Sequence, residues 1–200
     1  MTVETDVDAV GRTVRELAGG VETVTHYAPG SIVPVRQTVK DAETLECRVT
    51  ENTPTADGLS VARSVESTGT TCDGPLTTVS TTEFEYHDGD LAGEPSRQVV
   101  TGMVGAAGGD PGPAVTVSQT SIDRDAEGVG TRTDTVRGPD GVERVSVSDL
   151  QSGAVLSSSD PASGTTQTEY DGADRVVRVT APGGGVTETC LLYTSDAADE

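Results

Sequence analysis

The feature that most constrains this chain is a short repeat close to its C-terminal end. When the segment from Asp149 is aligned with the segment from Tyr170, apolar, proline, glycine and threonine positions coincide at a single offset of 21 residues. Periods of roughly 20 to 50 residues are typical of arrays in which each small unit shields its apolar side against its neighbours. The repeat therefore predicts an array of supersecondary units. The coinciding pairs are Val155 with Val176, Leu156 with Val177, Pro161 with Pro182, Gly164 with Gly185, and Thr168 with Thr189.

Within one repeat the residue pattern is strand, turn, strand. Residues 176–180 alternate between two sides with the two-residue period of a strand. Residues 181–185, APGGG, interrupt this strand, because proline has no backbone donor and glycine supplies positive φ. A second strand over residues 185–189 is expected to return antiparallel. The predicted fold is therefore all-β, a meander of short antiparallel hairpins.

Runs rich in valine and threonine, bounded by Gly, Pro, Asp or Asn, recur along the chain and predict further strands. Residues 10–18 form the single helical candidate, an amphipathic turn that competes with a repeat interpretation of the same residues. Residues 105–114, GAAGGDPGPA, predict a loop or linker. The predicted strand-bearing runs are 20–28, 44–51, 58–67, 77–87, 97–105, 114–122, 131–138 and 141–149.

Composition narrows the possible functions. Only 2% of the residues are aromatic, which disfavours a tightly filled helical core. The formal charge of −20, from 33 acidic and 13 basic side chains, disfavours binding to nucleic acid or to anionic membranes, because both depend on Lys and Arg. No apolar run reaches the length of a membrane-spanning helix, and the N-terminus lacks the pattern of a signal peptide. We expect no nucleic-acid binding and no membrane insertion in this segment, with any export signal lying upstream.

The last residues, Cys190–Glu200, differ in composition and rhythm from everything before them. Read back into codons, they resemble the fixed adapter of transposase-based sequencing libraries. We expect this tail not to be native and the gene to continue past residue 189. The native cysteines are then Cys47 and Cys72, which either close a disulfide worth about 3 kcal/mol in the chain-entropy model or remain two buried thiols.

The sequence EYDGADRVVRV resembles the YD repeat of the Rhs family, whose unit runs Tyr-Asp-x-x-Gly-Arg-Leu before a β-hairpin and a Gly-centred turn. Tyr170, Asp171 and Arg175 fill the positions of the same residue types, and Val176 fills the apolar position. Asp174 stands where the family has glycine, and aspartate visits left-handed backbone conformations more readily than most residues.

A second match lies near the N-terminus. In VDAVGRTV, Asp8, Gly11 and Arg12 fill the motif with Val7 at the tyrosine position, and Tyr27 reaches the next tyrosine position. Weaker traces of the motif are Tyr86 with Asp88, and Ile122 with Asp123 and Gly128.

The chemistry of the motif residues gives them structural roles. Aspartate at a turn accepts hydrogen bonds from backbone N–H groups two residues on, and a tyrosine ring supplies apolar area that small-residue strands lack. We expect these residues to stabilise the repeat and to catalyse nothing. The predicted structural motif consists of Asp8, Gly11, Arg12, Tyr27, Tyr170, Asp171, Arg175 and Gly185.

The matches divide the chain into four predicted segments. Residues 1–30 and 121–189 are YD-repeat units, residues 31–120 are degenerate repeats or a β insert, and residues 190–200 are the adapter-derived tail. Residues 47–80 align with no repeat, so the geometry of the second segment is left open.

Catalytic motifs are absent from the sequence. It contains no nucleophile elbow, Walker loop, zinc-protease helix or Cys-x-x-Cys pair, and its two histidines, His26 and His87, fall in predicted strands. We therefore expect no enzymatic activity, no cofactor and no catalytic residue in this segment.

One acidic stretch, DRDAEGVGTRTD, raises the question of calcium. Asp123, Asp125, Glu127 and Asp134 fall at loop positions 1, 3, 5 and 12 of a calcium-binding helix-loop-helix motif. Position 8 is glycine instead of an apolar residue, and the flanks predict strands. The alternatives are a calcium site and an acidic repeat turn, and we expect the turn, with no metal ligands.

The resemblance to the Rhs family implies a spiral sheet of hairpins, similar to teneurins and to the shell proteins of insecticidal toxin complexes. Members of that family enclose or present a variable toxic domain at the C-terminus. The implied function is a partial shell segment of an extracellular or cell-surface protein, whose partners are the rest of its own shell and a C-terminal effector. The alternative is an extracellular adhesive repeat that binds glycan or a cell-surface partner, which the scarcity of aromatic residues disfavours.

Overall fold

Antiparallel strands make up almost all of the regular structure in the computed structural model of the chain, which describes residues 3–103 and 113–189. Within these residues the regular helix is one short 3-10 turn, Gly89–Leu91. The chain divides into two units, Met1–Val117 and Ser118–Glu200. The predicted all-β fold of antiparallel hairpins is confirmed.

The first unit is a meander in which each strand pairs antiparallel with the next one in sequence. Valine and threonine are the commonest residues in its strands, since β-branched side chains fit a pleated surface. Its strands are β1 (Val3–Val7), β2 (Thr13–Ala18), β3 (Val21–Tyr27), β4 (Pro34–Asp41), β5 (Cys47–Pro54), β6 (Val61–Gly69), β7 (Thr77–Tyr86) and β8 (Pro95–Met103).

The second unit follows the same principle, with antiparallel pairs from β10 through β15. Strand β9 (Pro113–Arg124) crosses the division between the units. The remaining strands are β10 (Gly130–Arg137), β11 (Glu143–Asp149), β12 (Val155–Asp160), β13 (Gly164–Tyr170), β14 (Val176–Thr180) and β15 (Val186–Glu188).

The helical candidate over residues 10–18 is wrong, because Thr13–Ala18 is strand β2. The strand pairs with β1 on one side and with β3 on the other, so its backbone groups bond across the sheet instead of along a helix. Strand β4 was not among the predicted runs, because its polar residues obscure the alternation. Residues 104–112, which contain most of the predicted linker, and the tail at 190–200 lie outside the described residues.

Burial is concentrated in the first unit. Cys47 and Val49 of β5 are 0% and 1% exposed, and Cys47 forms a disulfide with Cys72 across a Cα–Cα distance of 5.3 Å. Of the two alternatives for these cysteines, the structure shows the disulfide. In the register of the sheet, Val49 lies between Thr38 of β4 and Ser67 of β6, both buried. This row across three strands is part of the core of the unit, which also includes Cys47 and Val33.

The described part of the second unit, residues 118–189, contains no buried residue. Its side chains are half-buried or exposed on every strand, so its regular structure depends on backbone ladders, turns and pairs of side chains on neighbouring strands.

Across residues 3–103 and 113–189, no helix has the length and hydropathy that crossing a bilayer requires.

Candidate functional site

The turn between β1 and β2 is built around the carboxylate of Asp8. Its Oδ1 accepts hydrogen bonds from the backbone N–H groups of Val10 and Arg12, both at 3.0 Å. The Nε of Arg12 donates to Oδ2 at 2.6 Å. Gly11 lies between these donors with φ of +85°, a left-handed conformation that closes the turn at little cost for glycine. One aspartate thus fixes both the backbone of the turn and the arginine that follows it.

The turn between β13 and β14 has the same geometry. The Oδ1 of Asp171 accepts from the N–H groups of Ala173 and Arg175 at 2.9 and 3.0 Å, and Oδ2 accepts from Arg175 Nε at 2.9 Å. Asp174 takes the place of Gly11 with φ of +56°. The departure from glycine at this position therefore leaves the turn unchanged.

This turn recurs as a backbone pattern. In each case the first residue donates its N–H to the carbonyl of the fifth, and the fourth residue, at positive φ, donates to the carbonyl of the first. Such a turn with a left-handed residue before the return strand is one of the common hairpin connections. It is found at residues 8–12, 125–129, 138–142, 171–175 and 181–185.

The carboxylates of the two motif turns are held in the charged form. Hydrogen bonds from the Arg175 side chain, and then from the backbone N–H groups of Arg175 and Ala173, lower the pKa of Asp171 to about 2. Desolvation raises the pKa of Asp8, but hydrogen bonds from the Arg12 amide and guanidinium outweigh it and lower the pKa below its usual value. These charged acceptors stabilise their turns at neutral pH.

Each of the three tyrosines among the described residues is the last residue of a strand, directly before the connection to the next strand. Tyr27, Tyr86 and Tyr170 end β3, β7 and β13, and a register shift immediately precedes each of them. Val7 at the end of β1 and Pro54 at the end of β5 have the same register shift. The tyrosine position is therefore the strand end at which the ladder is interrupted.

Each tyrosine contacts the neighbouring strand or turn. The hydroxyl of Tyr86 donates to the carbonyl of Val61 at 2.6 Å, and that of Tyr170 donates to the carbonyl of Val155 at 3.0 Å. Both acceptors are the first residue of the preceding strand. Tyr27 instead lies under the guanidinium of Arg12, 4.2 Å from the ring centroid, a cation–π contact. The ring or its hydroxyl thus joins consecutive strands at this end.

We name the end of each unit at which the tyrosines lie the tyrosine end. In the first unit a chain of contacts at this end joins the β1–β2, β3–β4 and β5–β6 turns. Arg12 donates through Nη1 to the carbonyl of Ser31 at 2.7 Å, which connects the β1–β2 turn to the β3–β4 turn. The hydroxyl of Ser31 lies 3.3 Å from the carbonyl of Gly58 in the β5–β6 turn. Ser31 is buried, and its side chain also accepts from Val33 N–H. The arrangement aligns the turns of consecutive hairpins.

The other predicted motif residues are placed as follows. Gly185 ends the turn between β14 and β15 and accepts from Ala181 N–H at 2.8 Å, whereas Gly184 has the positive φ. In the weaker trace at Ile122, the aspartate that accepts the turn hydrogen bonds is Asp125 and not Asp123. In the weaker trace at Tyr86, His87 directly follows the tyrosine and Asp88 comes one residue later.

The connection between β5 and β6 was not recognised from the sequence as a repeat turn. Pro54 stands at the tyrosine position there, and the turn is one residue longer than the others. The register shift before Pro54 and the bond from Thr55 N–H to the Ser60 carbonyl nevertheless match the other connections. Positive φ at Gly58, signalled by its Asp-Gly sequence, was the available clue.

The acidic stretch considered for calcium forms a hairpin. Asp125 Oδ1 accepts from the N–H groups of Glu127 and Val129 at 3.1 and 2.9 Å. Asp134 lies in β10, where Arg132 Nε donates to it at 2.8 Å and Thr120 Oγ1 contacts it at 2.6 Å. Within the described ranges no three metal-binding side chains come together. The carboxylates of Asp125 and Asp134 are therefore engaged in a turn and in a strand contact.

The histidines do not meet in a site. His26 lies on β3 and is exposed, whereas His87 directly follows β7, so the expectation that both lie in strands is wrong for His87.

The second unit has an open cleft of about 450 Å³ between two neighbouring turns at the tyrosine end. Tyr170 and Leu156 supply its apolar surface, and Asp149, Gln151 and Asp174 supply polar groups.

Comparison with protein families supports the interpretation of the repeat. Residues 151–186, which include β12, β13, β14 and the first residue of β15, match the model of the RHS Repeat family. A search of curated proteins finds no match to the chain. The family match covers the Tyr170–Arg175 turn described above.

Proposed function

The chain carries an RHS repeat of the Rhs/YD-repeat family at residues 151–186, and from this premise we propose that the whole segment is a piece of shell wall. In this proposal its hairpins belong to a spiral sheet that encloses or presents a C-terminal toxin or effector in contact-dependent competition between cells. The partners are the rest of the same shell and the effector. The segment's role is structural and not catalytic.

The proposal is based on the scarcity of buried residues in a long series of paired strands. Among the described residues only a few side chains, all in the first unit, are buried. A globular domain of this size packs two layers around a core. A wall instead needs continuous backbone pairing with little thickness, and the consecutive antiparallel ladders supply that pairing.

Ion pairs between neighbouring strands support the same role. Arg97 and Glu85 face each other on β8 and β7 at 2.6 Å, and Arg144 pairs with Asp160 across β11 and β12 at 2.6 Å. Such exposed pairs add little to the free energy of unfolding, and their main effect is to favour one register of the two strands. Register matters in a long sheet, because a slip by one residue exchanges its two faces.

The disulfide supports a secreted or cell-surface protein. Structural disulfides form and persist in oxidising compartments and are rare in the cytosol. The bond joins Cys72 to the fully buried Cys47, and such burial is typical of a structural disulfide.

The test is protection of the downstream region in the complete protein. The full coding sequence that contains this chain is expressed, and limited proteolysis is followed by mass spectrometry. We expect the C-terminal domain to resist cleavage in the intact protein and to be cleaved when the same domain is fused to an unrelated carrier. Equal cleavage in both proteins would refute enclosure, as would a downstream sequence that encodes a wall anchor in place of a variable domain.

The second candidate function is adhesion through glycan binding, and the cleft at Tyr170 favours it. An aromatic ring beside carboxylate and amide groups is a surface on which a sugar can stack and form hydrogen bonds. Binding of the complete protein to a glycan array, abolished by Tyr170→Ala and retained by Tyr86→Ala, would establish it. No binding on the array, or equal loss in both variants, would reject it.

A further inference from the structure

The connection between β6 and β7, residues 70–76, lies across the face of the first unit. We name these residues the strap. Its Cys72 is bonded to Cys47, the first residue of β5. Arg36 of β4 donates through Nη2 to the carbonyl of Cys72 at 2.7 Å and lies 3.4 Å from Asp73 Oδ1. The strap therefore reaches from the β6–β7 end over β5 to β4.

The strap lies on the side of the sheet where the core is found. Cys47 and Val49, two residues apart on β5, point to the same face and are almost fully buried. Thr38 and Ser67 are the register partners of Val49, and opposed residues in an antiparallel ladder share a face. In a unit with so few buried residues, the strap is the segment in position to exclude water from this row.

The two cysteine residues of the disulfide differ in access to solvent. Cys47 is 0% exposed, whereas Cys72 is only half-buried. Thiol–disulfide exchange requires a thiolate to reach one of the sulfur atoms. We therefore expect a reductant in solution to attack at Cys72, because Cys47 is fully buried.

We propose that the disulfide holds the strap closed and that reduction by a dithiol releases the strap from β4 and β5. A dithiol thiolate attacks Cys72 Sγ, the bond between the cysteines breaks, and Cys47 leaves as a thiolate that takes a proton from water. The second thiol of the reductant then attacks the mixed disulfide, freeing Cys72 as a thiol and leaving the reductant oxidised. This inference is independent of the proposed shell function.

After reduction, few described contacts hold the tip of the strap. The bond from Arg36 to the Cys72 carbonyl and its pair with Asp73, which is 90% exposed, remain. The base of the strap is packed more tightly, since a Cβ at Gly69 would lie 2.8 Å from the Pro75 carbonyl oxygen. The tip therefore opens while the base stays in place, and the row containing Val49 gains access to water.

The experiment measures the rate at which each cysteine is alkylated after reduction with dithiothreitol. Pulses of iodoacetamide are followed by peptide mass spectrometry in the Cys190→Ser background, which removes the third thiol. We expect Cys47 to be alkylated within about tenfold of the rate of Cys72, because local opening exposes both. Hydrogen exchange in β2 and β3, measured in the same samples, should remain slower than the alkylation of Cys47, because the opening is local.

Two variants test separately the roles of the disulfide and of the Arg36 contacts. Cys72→Ala removes the bond without reductant, so its Cys47 should be alkylated as fast as in the reduced chain. Arg36→Gln removes the remaining latch and should raise the alkylation rate of Cys47 about threefold or more in the reduced chain, with no effect while the disulfide is intact.

Either of two results would overturn the proposal. Cys47 alkylated about a hundredfold more slowly than Cys72 would mean that the strap stays closed without its bond. Loss of hydrogen-exchange protection in β2 and β3 at the rate of Cys47 alkylation would mean that the bond stabilises the whole unit and controls no local opening.

Discussion

The two units share one hairpin design and differ in what covers it. The turns at Asp8 and Asp171 have the same hydrogen bonds, and each unit is a meander of antiparallel neighbours. Only the first unit, among described residues, has buried side chains and a disulfide. The second unit contains the segment that matches the family model.

This difference shows that the repeat motif and the hydrophobic core are separable. The motif fixes turns and strand ends through hydrogen bonds that need no burial. In the first unit, fully buried Cys47 is bonded to the strap, an element outside the motif. We therefore expect the stability of the first unit to depend on the strap and that of the second unit to depend on its turns.

The largest effect is expected from the double variant Cys47→Ala/Cys72→Ala. Loss of a cross-link with a sequence separation of 25 residues should lower the free energy of unfolding of the first unit by about 3 kcal/mol. Urea unfolding with hydrogen-exchange mass spectrometry measures both units in one sample. An equal loss of hydrogen-exchange protection in β10 to β14 and in β4 to β6 would contradict the expected difference between the two units.

A smaller effect is expected from the tyrosine hydroxyls. Tyr86→Phe removes a part-buried hydrogen bond to the Val61 carbonyl and should cost about 1 kcal/mol. Tyr170→Phe removes the exposed bond to Val155 and should cost less, since water replaces the lost donor. Both are measured by chemical unfolding, and a larger cost for Tyr170→Phe would contradict the difference in burial between the units.

The turn of the second unit should depend on pH through Asp171. Its pKa is lowered to about 2 from 3.8, so its contribution to stability is complete above pH 3.8 and is lost as the pH falls through about 2. A carbon-detected NMR titration of the carboxyl group measures this midpoint. Arg175→Gln should move the midpoint upward, because the Arg175 side chain is the largest cause of the shift, and an unchanged midpoint would show that the backbone N–H groups alone set it.

The smallest effect is expected from exchanging the left-handed residues of the two turns. Asp174→Gly should stabilise the second unit and Gly11→Asp should destabilise the first, each by up to about 1 kcal/mol, since glycine adopts positive φ without a Cβ penalty. A Cβ at Gly11 would meet nothing within 4 Å, so the cost there is one of backbone conformation. Thermal melts of both variants test whether the turns are equivalent, and effects of the same sign would show that they are not.

Much of the hairpin array could be predicted from local sequence. The alternation of Val177 and Val179, the APGGG turn and the Asp-x-x-Gly-Arg pattern are local signals, and the corresponding strands and turns are present. The Pro54 connection and strand β4 were missed because their residues depart from the motif and their pairing depends on neighbouring strands.

Local sequence signals specify the all-β fold, the position of most hairpins and the placement of aspartate and positive φ in the motif turns. These properties arise within a few residues, where backbone sterics and side-chain hydrogen bonds act locally. The pairing of Cys47 with Cys72 and the contact of the strap with Arg36 depend on how the strands pack together. The same is true of the contacts of Arg12 with Tyr27 and Ser31. Those contacts join residues distant in sequence, and the register of intervening strands sets their distances.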